Sequence, residues 1–258
     1  MRVLMVGDVV GRPGRQAVAG LLPGLRKELG IDLTVVQGEN IAAGFGLTQD
    51  TVRELLAAGV DVITTGNHVW DRKEFLPHLE QSEMPVIRPM NYPKSAPGRG
   101  YIDLGNVVIV NLIGRVFVGE ADSPFAVVDG FLKTHVAVGR PILVDFHAEA
   151  TSEKQAMGWY LDGKVAAVVG THTHVATADA RILPKGTAYI TDLGMVGPID
   201  SVIGMETEDA LYRFLNNMPR HLRVAGGRCR FNSVLIDLDD ATGVARTIER
   251  VDREIAPS

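Results

Sequence analysis

Hydrophobic and polar positions along this chain fall into short, repeating blocks. Val3-Leu4-Met5-Val6, Leu33-Thr34-Val35-Val36 and Val60-Asp61-Val62-Ile63-Thr64-Thr65 are apolar, β-branched runs of strand length. Each ends in a glycine with a polar residue after it: Gly7-Asp8, Gly38-Glu39-Asn40 and Gly66-Asn67-His68. A helix is predicted behind each run. The first spans Gln16 to Leu29, after a turn at Gly11, Pro13 and Gly14, and is stopped by Gly30. The second runs from about Thr48, its N-cap, to Ala58, with Gly59 behind it. Asp71 and Glu74 stand in a capping arrangement for the third. Strand and helix in alternation imply parallel βαβ units, whose sites lie beyond the carboxyl ends of the strands.

The middle is punctuated by Pro85, Pro89, Pro93 and Pro97, and Val107 to Leu112 is the next strand. Ser123 and Pro124 predict a helix start, with the helix running to Val138. Ile142 to Phe146 is a strand that delivers His147, and Thr151 to Leu161 reads as a helix. Val165 to Val169 leads to Gly170-Thr171-His172-Thr173-His174. If the backbone stays extended past the glycine, alternation puts His172 and His174 on one side of the chain. Thereafter Ala188 to Thr191, Phe231 to Leu238 and Val244 to Val251 read as strands, the last two joined by a turn at Asp239 to Gly243, and Glu208 to Leu215 as a short helix. The expectation is an α/β sandwich in a single domain over residues 1–258, its β-rich second half packed on the first layer. That second half is also the candidate surface for a homo-oligomer.

Composition narrows the class. An apolar share of 46% is that of an ordinary globular protein, and a net charge of -5 argues against a nucleic-acid partner. The single cysteine, Cys229, excludes an internal disulfide, and no signal peptide or membrane-length apolar run is visible. The chain therefore reads as cytoplasmic, with no membrane partner.

Pooled, the strand ends offer Asp8, Glu39, Asn40, Asn67, His68, His147, His172 and His174. Mixed oxygen and nitrogen donors suit Mn, Fe or Zn better than Ca or Mg. They outnumber the needs of one ion, whereas two ions about 3.5–4 Å apart, bridged by a carboxylate, form a recurring phosphoester-cleaving device. The glycine-rich loop from Gly7 to Arg15 lacks the Gly-Lys-Ser/Thr ending of a P-loop, and its glycines miss the dinucleotide-binding spacing.

These blocks resemble, in order, those of the calcineurin-like metallophosphoesterases, and most closely their YmdB-like branch of bacterial cyclic-nucleotide phosphodiesterases. The likeness runs nearly end to end: Gly-Asp-Val-Val-Gly (7–11), Gly-Glu-Asn (38–40), Gly-Asn-His-Val-Trp-Asp (66–71), Asp-Phe-His-Ala-Glu-Ala-Thr-Ser-Glu-Lys (145–154) and Leu-Pro-Lys-Gly-Thr-Ala-Tyr-Ile-Thr-Asp (183–192). Two departures stand out. Val10 occupies the place where the broad superfamily usually has a histidine, and Glu39 with Asn40 stands where it has a bridging aspartate. Asn40 is the candidate to supply the ligand that Val10 cannot.

The resemblance implies one ion on Asp8, Glu39, Asn40 and His174 and another on Glu39, Asn67, His147 and His172. The ions would be divalent or trivalent, iron or manganese, with zinc as a third choice. It further implies hydrolysis of a small cyclic nucleotide, 2′,3′ or 3′,5′, by a metal-bridging hydroxide. His68 would be the general acid to the leaving oxygen. Alternatives are a phosphomonoesterase or nuclease on the same core, or a regulatory nucleotide-binding module with little turnover. Arg115, Arg12 and Arg15 are candidate counter-charges for the phosphate, and the helix start at Thr151-Ser152 a candidate source of N–H donors. Phe45, Trp70 and Tyr160 are candidates to stack on a base. His78, His135 and His221 read as surface residues. Cys229, between Arg228 and Arg230, has neighbours that would lower a thiol pKa but no catalytic partner in sequence, and reads as structural.

Overall fold

The structure is a computed structural model and describes residues 1–135 and 140–256. Strands in the first half are β1 (Arg2–Val6), β2 (Asp8–Val9), β3 (Leu33–Gln37), β4 (Val62–Thr64), β5 (Tyr101–Asp103) and β6 (Val108–Ile113). Those that follow are β7 (Ile142–His147), β8 (Ala167–Thr171), β9 (Arg181–Ile182), β10 (Ala188–Ile190) and β11 (Met195–Pro198). The last are β12 (Cys229–Phe231), β13 (Ser233–Leu238), β14 (Ala245–Arg250) and β15 (Arg253–Ile255). The helices are α1 (Gly11–Leu29), α2 (Gln49–Ala57), α3 (Leu76–Leu79), α4 (Pro124–His135), α5 (Thr151–Leu161) and α6 (Thr207–Asn216).

Two sheets face one another, in the orders β14-β13-β1-β3-β4 and β5-β6-β7-β8-β10-β9. Alternation along each strand sets which layer a side chain enters. Val3 and Met5 of β1 and Val35 of β3 turn inward, where they share a core with Ile109, Leu143 and Val169 of the opposite sheet. Leu4, Val6 and Val36 turn outward onto Val18, Leu22 and Leu25 of α1 and Val52 and Leu55 of α2. On the far side, Val110, Val144 and Val168 meet Val128 and Phe131 of α4 and Met157 and Leu161 of α5. The result is the expected α/β sandwich, layered helix, sheet, sheet, helix. Each buried aliphatic side chain contributes about 1.5–3 kcal/mol, so a one-residue slip of β1, which would exchange its two faces, is strongly disfavoured. A third, smaller sheet, β15-β12-β11-β2, shares the core of α1 through Val9, Val196 and Phe231.

Several local expectations change. α1 begins at Gly11, five residues early, because Pro13 falls in the first turn, where an N–H has no helical acceptor to meet. α2 keeps its Thr48 cap, which closes a box with Thr51. Asp71 caps nothing: its carboxylate accepts from the His68 ring, and a single tight turn, Lys73–Phe75, leads into the four-residue α3. The helix expected over 124–138 is described to His135, its last three positions lying outside the described residues, as does the side chain of His135. The β-rich second half does not form a layer of its own. The β13–β14 hairpin joins the first sheet beside β1, with Val234, Ile236 and Leu238 in the inter-sheet core, while the second sheet is drawn from the middle of the chain. Pairing β13 with β1 covers what would be an open, aggregation-prone edge.

One close approach fixes the end of β8. A Cβ on Gly170 would stand 1.8 Å from the Thr191 carbonyl oxygen and 3.1 Å from Lys154 Cδ. Gly170→Ala is expected to cost about 3 kcal/mol, as overpacking against backbone does, and to lower Tm by roughly 6–12 °C. Thermal unfolding by circular dichroism checks this, and an unchanged midpoint would contradict the packing described.

Candidate metal centre

The carboxyl ends of β1, β3, β4, β7 and β8 deliver their polar residues to one place. Four side chains, two of them fully buried, meet most closely. His147 Nε2, at the end of β7, lies 3.0 Å from Glu39 Oε1, 3.1 Å from Asn67 Oδ1 and 3.0 Å from His172 Nδ1. An imidazole nitrogen carries at most one proton, so it satisfies at most one of these neighbours. Glu39, His147 and His172 each offer a ligand atom within 4.8 Å of the others. A cation among them engages every lone pair at once, which a shared proton cannot.

A second group adjoins the first. His174 Nε2 is 3.1 Å from the Asn40 amide and 3.7 Å from Asp8 Oδ1. Asp8 is fully buried; its Oδ2 accepts the His172 N–H at 3.1 Å, while Oδ1 has no hydrogen-bond partner among the described residues. A buried carboxylate oxygen left unpaired costs free energy unless a cation answers it. Glu39's other oxygen accepts the His68 N–H at 2.8 Å, and its charge acts on Asp8 in the second group. The donor set and the orphaned oxygen therefore fit metal ions.

His172 and His174 do not reach the site by strand alternation. β8 ends at Thr171, and the two histidines sit in a bend with φ of 100° and 64°. Asp192 holds this bend, accepting from the Thr173 N–H at 3.2 Å and hydroxyl at 2.8 Å and from Lys154 Nζ at 2.5 Å. His174 Nδ1 donates to the Ile203 carbonyl at 2.8 Å, which leaves Nε2 facing Asp8 and Asn40.

Charge follows from burial and proximity. Burial opposes ionisation of Glu39, yet the His147 imidazole and the hydrogen bond between them hold its carboxyl down to about 2. Burial disfavours charge on His147 too, but Glu39, with Asp8 and Asp145 behind it, lifts the imidazole to about 8. Burial, then repulsion from His147, takes His172 down to about 3, so its lone pair is free. Burial pushes Asp8 above the usual carboxylate range, against the pull of His174 and His147.

A supporting shell escaped the sequence reading. Gln37 and the Thr171 hydroxyl each stand 3.0 Å from His147 Nδ1, and Thr171 in turn donates to Asp145 at 2.7 Å. Burial raises Asp145 to about 7. His172 Nε2 lies 3.1 Å from Glu149, an acid that sits in the 145–154 block two residues after His147. Asp145 was legible in principle, two residues before His147 on the same face of β7, and Gln37, the last residue of β3, stands two before Glu39.

Other candidates lie elsewhere. Arg115 lines a separate cleft with Glu120, Phe125 and Glu153, its backbone N–H held by Glu153 at 2.9 Å. Thr151, the first residue of α5, is exposed, and α5 contributes nothing to the cleft over the histidines. Arg15 is tied to Glu54 at 2.6 Å and to the Ile41 carbonyl, and Arg12 is exposed. Of the three aromatic candidates only Phe45 lines the cleft; Trp70 packs on Tyr92, and Tyr160 on Phe125. His78 is half-buried against Phe75, and His221 is exposed. Burial raises the Cys229 thiol pKa, opposite to the shift its arginine neighbours suggest, and supports a structural role.

Comparison with known proteins agrees with the sequence blocks. A family model described as YmdB-like protein matches residues 4–251. The 2′,3′-cyclic-nucleotide 2′-phosphodiesterase of Bacillus subtilis (strain 168) is 46% identical over 97% of this chain and 96% of its own. Among solved structures, one described as a hypothetical protein from Thermus thermophilus superposes with a TM-score of 0.92 at 43% identity, covering all of both chains. A novel phosphatase from Mycoplasma pneumoniae gives 0.92 at 33% identity, over all of this chain and 94% of that one. With these matches spanning almost its whole length, the chain belongs to the YmdB-like family.

Proposed function

We propose that this phosphoric diester hydrolase uses two transition-metal ions to cleave small cyclic nucleotides, 2′,3′ or 3′,5′, in a cytoplasmic setting. The carrying observation is the convergence on His147 Nε2 of three neighbours it cannot satisfy with one proton, beside the unpartnered Asp8 Oδ1. The 2′,3′-cyclic isomer is favoured by the activity of the Bacillus subtilis relative. One ion would take Asp8, Glu39, Asn40 and His174, the other Glu39, Asn67, His147 and His172, with Glu39 as the bridge. Iron or manganese suits this mixed oxygen and nitrogen set, with zinc as the third candidate. When bound, such ions supply positive charge for the phosphate oxygens and lower the pKa of water to near neutrality.

The chain's own groups do the rest. Hydrolysis adds water across one P–O bond of the ring, and the departing sugar oxygen requires a proton. His68 lines the cleft, and its Nδ1 lies 2.7 Å from Asp71 Oδ2, to which it donates. That bond orients the ring and leaves Nε2 to hand a proton to the departing oxygen, a contribution of roughly 10²–10⁴-fold. Phe45 meets the same ring edge-on, with centroids 5.0 Å apart. Asp145 and Thr171 hold the His147 ring, and Glu149 the His172 ring, as such outer partners do for ligating histidines.

Three outcomes are expected. Glu39→Ala should lose at least one of two bound ions by elemental analysis and at least ~10²-fold in turnover; two retained ions with full activity would reject the bridge. His68→Ala should keep its metals but lose about 10²–10⁴-fold on 2′,3′-cyclic AMP, and far less on bis-p-nitrophenyl phosphate, whose leaving group needs no proton. Equal losses on the two esters would remove His68 as the acid. The third concerns protein stripped of metal by a chelator. The folded His147 pKa, about 8, stands above an unfolded imidazole's 6.5, so its contribution is complete below 6.5 and is lost as pH rises through 8. The Tm of the stripped protein should therefore fall across that window, and a flat Tm would contradict the buried Glu39–His147 pair.

A further inference from the structure

The cleft over the candidate metal centre, about 290 Å³, is lined by two unlike groups of side chains. Glu149, His172 and His174 form one, while Phe45, Ile203, Met205 and Leu222 form the other. We propose that this second group forms the subsite for the base of a nucleotide substrate, a neutral, flat heterocycle, with the phosphodiester held at the histidines. The inference rests on the phosphodiesterase reading above.

Ile203 carries the strongest sign. It sits at φ 48°, followed by Gly204 at 95°, inside a two-residue turn closed by paired bonds between Val202 and Met205 of 2.9 and 3.0 Å. Such hairpin turns ordinarily take Asn-Gly, and a β-branched residue at positive φ is a genuine outlier. Burial of the side chain does not offset the strain, for Ile203 is 49% exposed. Its carbonyl accepts from His174 Nδ1, a task any residue performs, so the backbone contact does not account for isoleucine. A ligand that covers the side chain does account for it.

The neighbouring residues make the turn rigid. Val10, fully buried, supports it from below: a Cβ on Gly204 would stand 2.7 Å from Val10 Cγ1. Met205, 4% exposed, packs against Gly44, where a Cβ would meet its Cε at 3.0 Å. Phe45 follows Gly44 and is half-buried, one ring removed from the phosphate end through its contact with His68. The four side chains are uncharged and one is aromatic, which suits a ring with a π-face and leaves the anionic group to the histidines.

The test compares substrates with and without a base. Metal-loaded wild type, Met205→Ala and Leu222→Ala are assayed on 2′,3′-cyclic AMP and on ribose 2′,3′-cyclic phosphate, and adenosine binding is measured by calorimetry. The ratio of kcat/KM for the nucleotide to that for the base-free ester should fall about tenfold in each variant, with a matching loss of adenosine affinity. A ratio within about twofold of wild type, or unchanged adenosine affinity, overturns the proposal. Adenosine binding separates the two readings. A wild type that cleaves neither ester, yet binds adenosine more tightly than both variants, removes the phosphodiesterase reading and supports the subsite.

Discussion

A buried ion pair holds the functional end of this molecule in shape. Lys154 and Asp192 are each about 1% exposed and meet at 2.5 Å. Charges so placed are costly to desolvate, and losing one partner costs about 3–5 kcal/mol. Here the pair does more than cancel itself. Asp192 also takes both donors of Thr173 and the Gly194 N–H, and so fixes the bend that carries His172 and His174. Gly170 permits the close packing of Thr191 that brings Asp192 within reach. The last residues of two sequence blocks, 145–154 and 183–192, thus prove to be partners.

Much of the site was legible because strand ends follow a rule. Asp8, Glu39, Asn67 and His147 each stand just past or at the end of an apolar run, and parallel sheets gather such residues at one edge. The bend at 172–174 was not legible, since nothing local announces positive φ at two histidines. Its cause lies in Asp192, which meets Thr173 only once the chain has folded back beside β8. Arg115 and Thr151 lie outside the cleft over the histidines, because a loop or helix start near the right edge still has a direction, and Glu153 holds the backbone at Arg115. Within the fold, the alternating faces of β1 and β3 were predictable. The placement of β13 beside β1 depends on pairing between the two ends of the chain, which no local pattern encodes.

Val10 meets distant parts of the chain. An aliphatic side chain there offers no metal ligand but makes an apolar contact. Asn40 brings its amide to His174, and the turn at Ile203-Gly204 comes down onto the valine.

The pairing of β1 with β13 has a consequence for biosynthesis. Arg2 to Val6 lie opposite Asp237 to Ser233, so the sheet bearing Asp8 and Glu39 cannot close until the ribosome has delivered residues beyond 230. Such long-range topology is slow to form and exposes strand edges in the interval. The nascent protein must carry its early strands unfinished until β13 has been delivered, and the strand ends that present Asp8 and Glu39 settle only then.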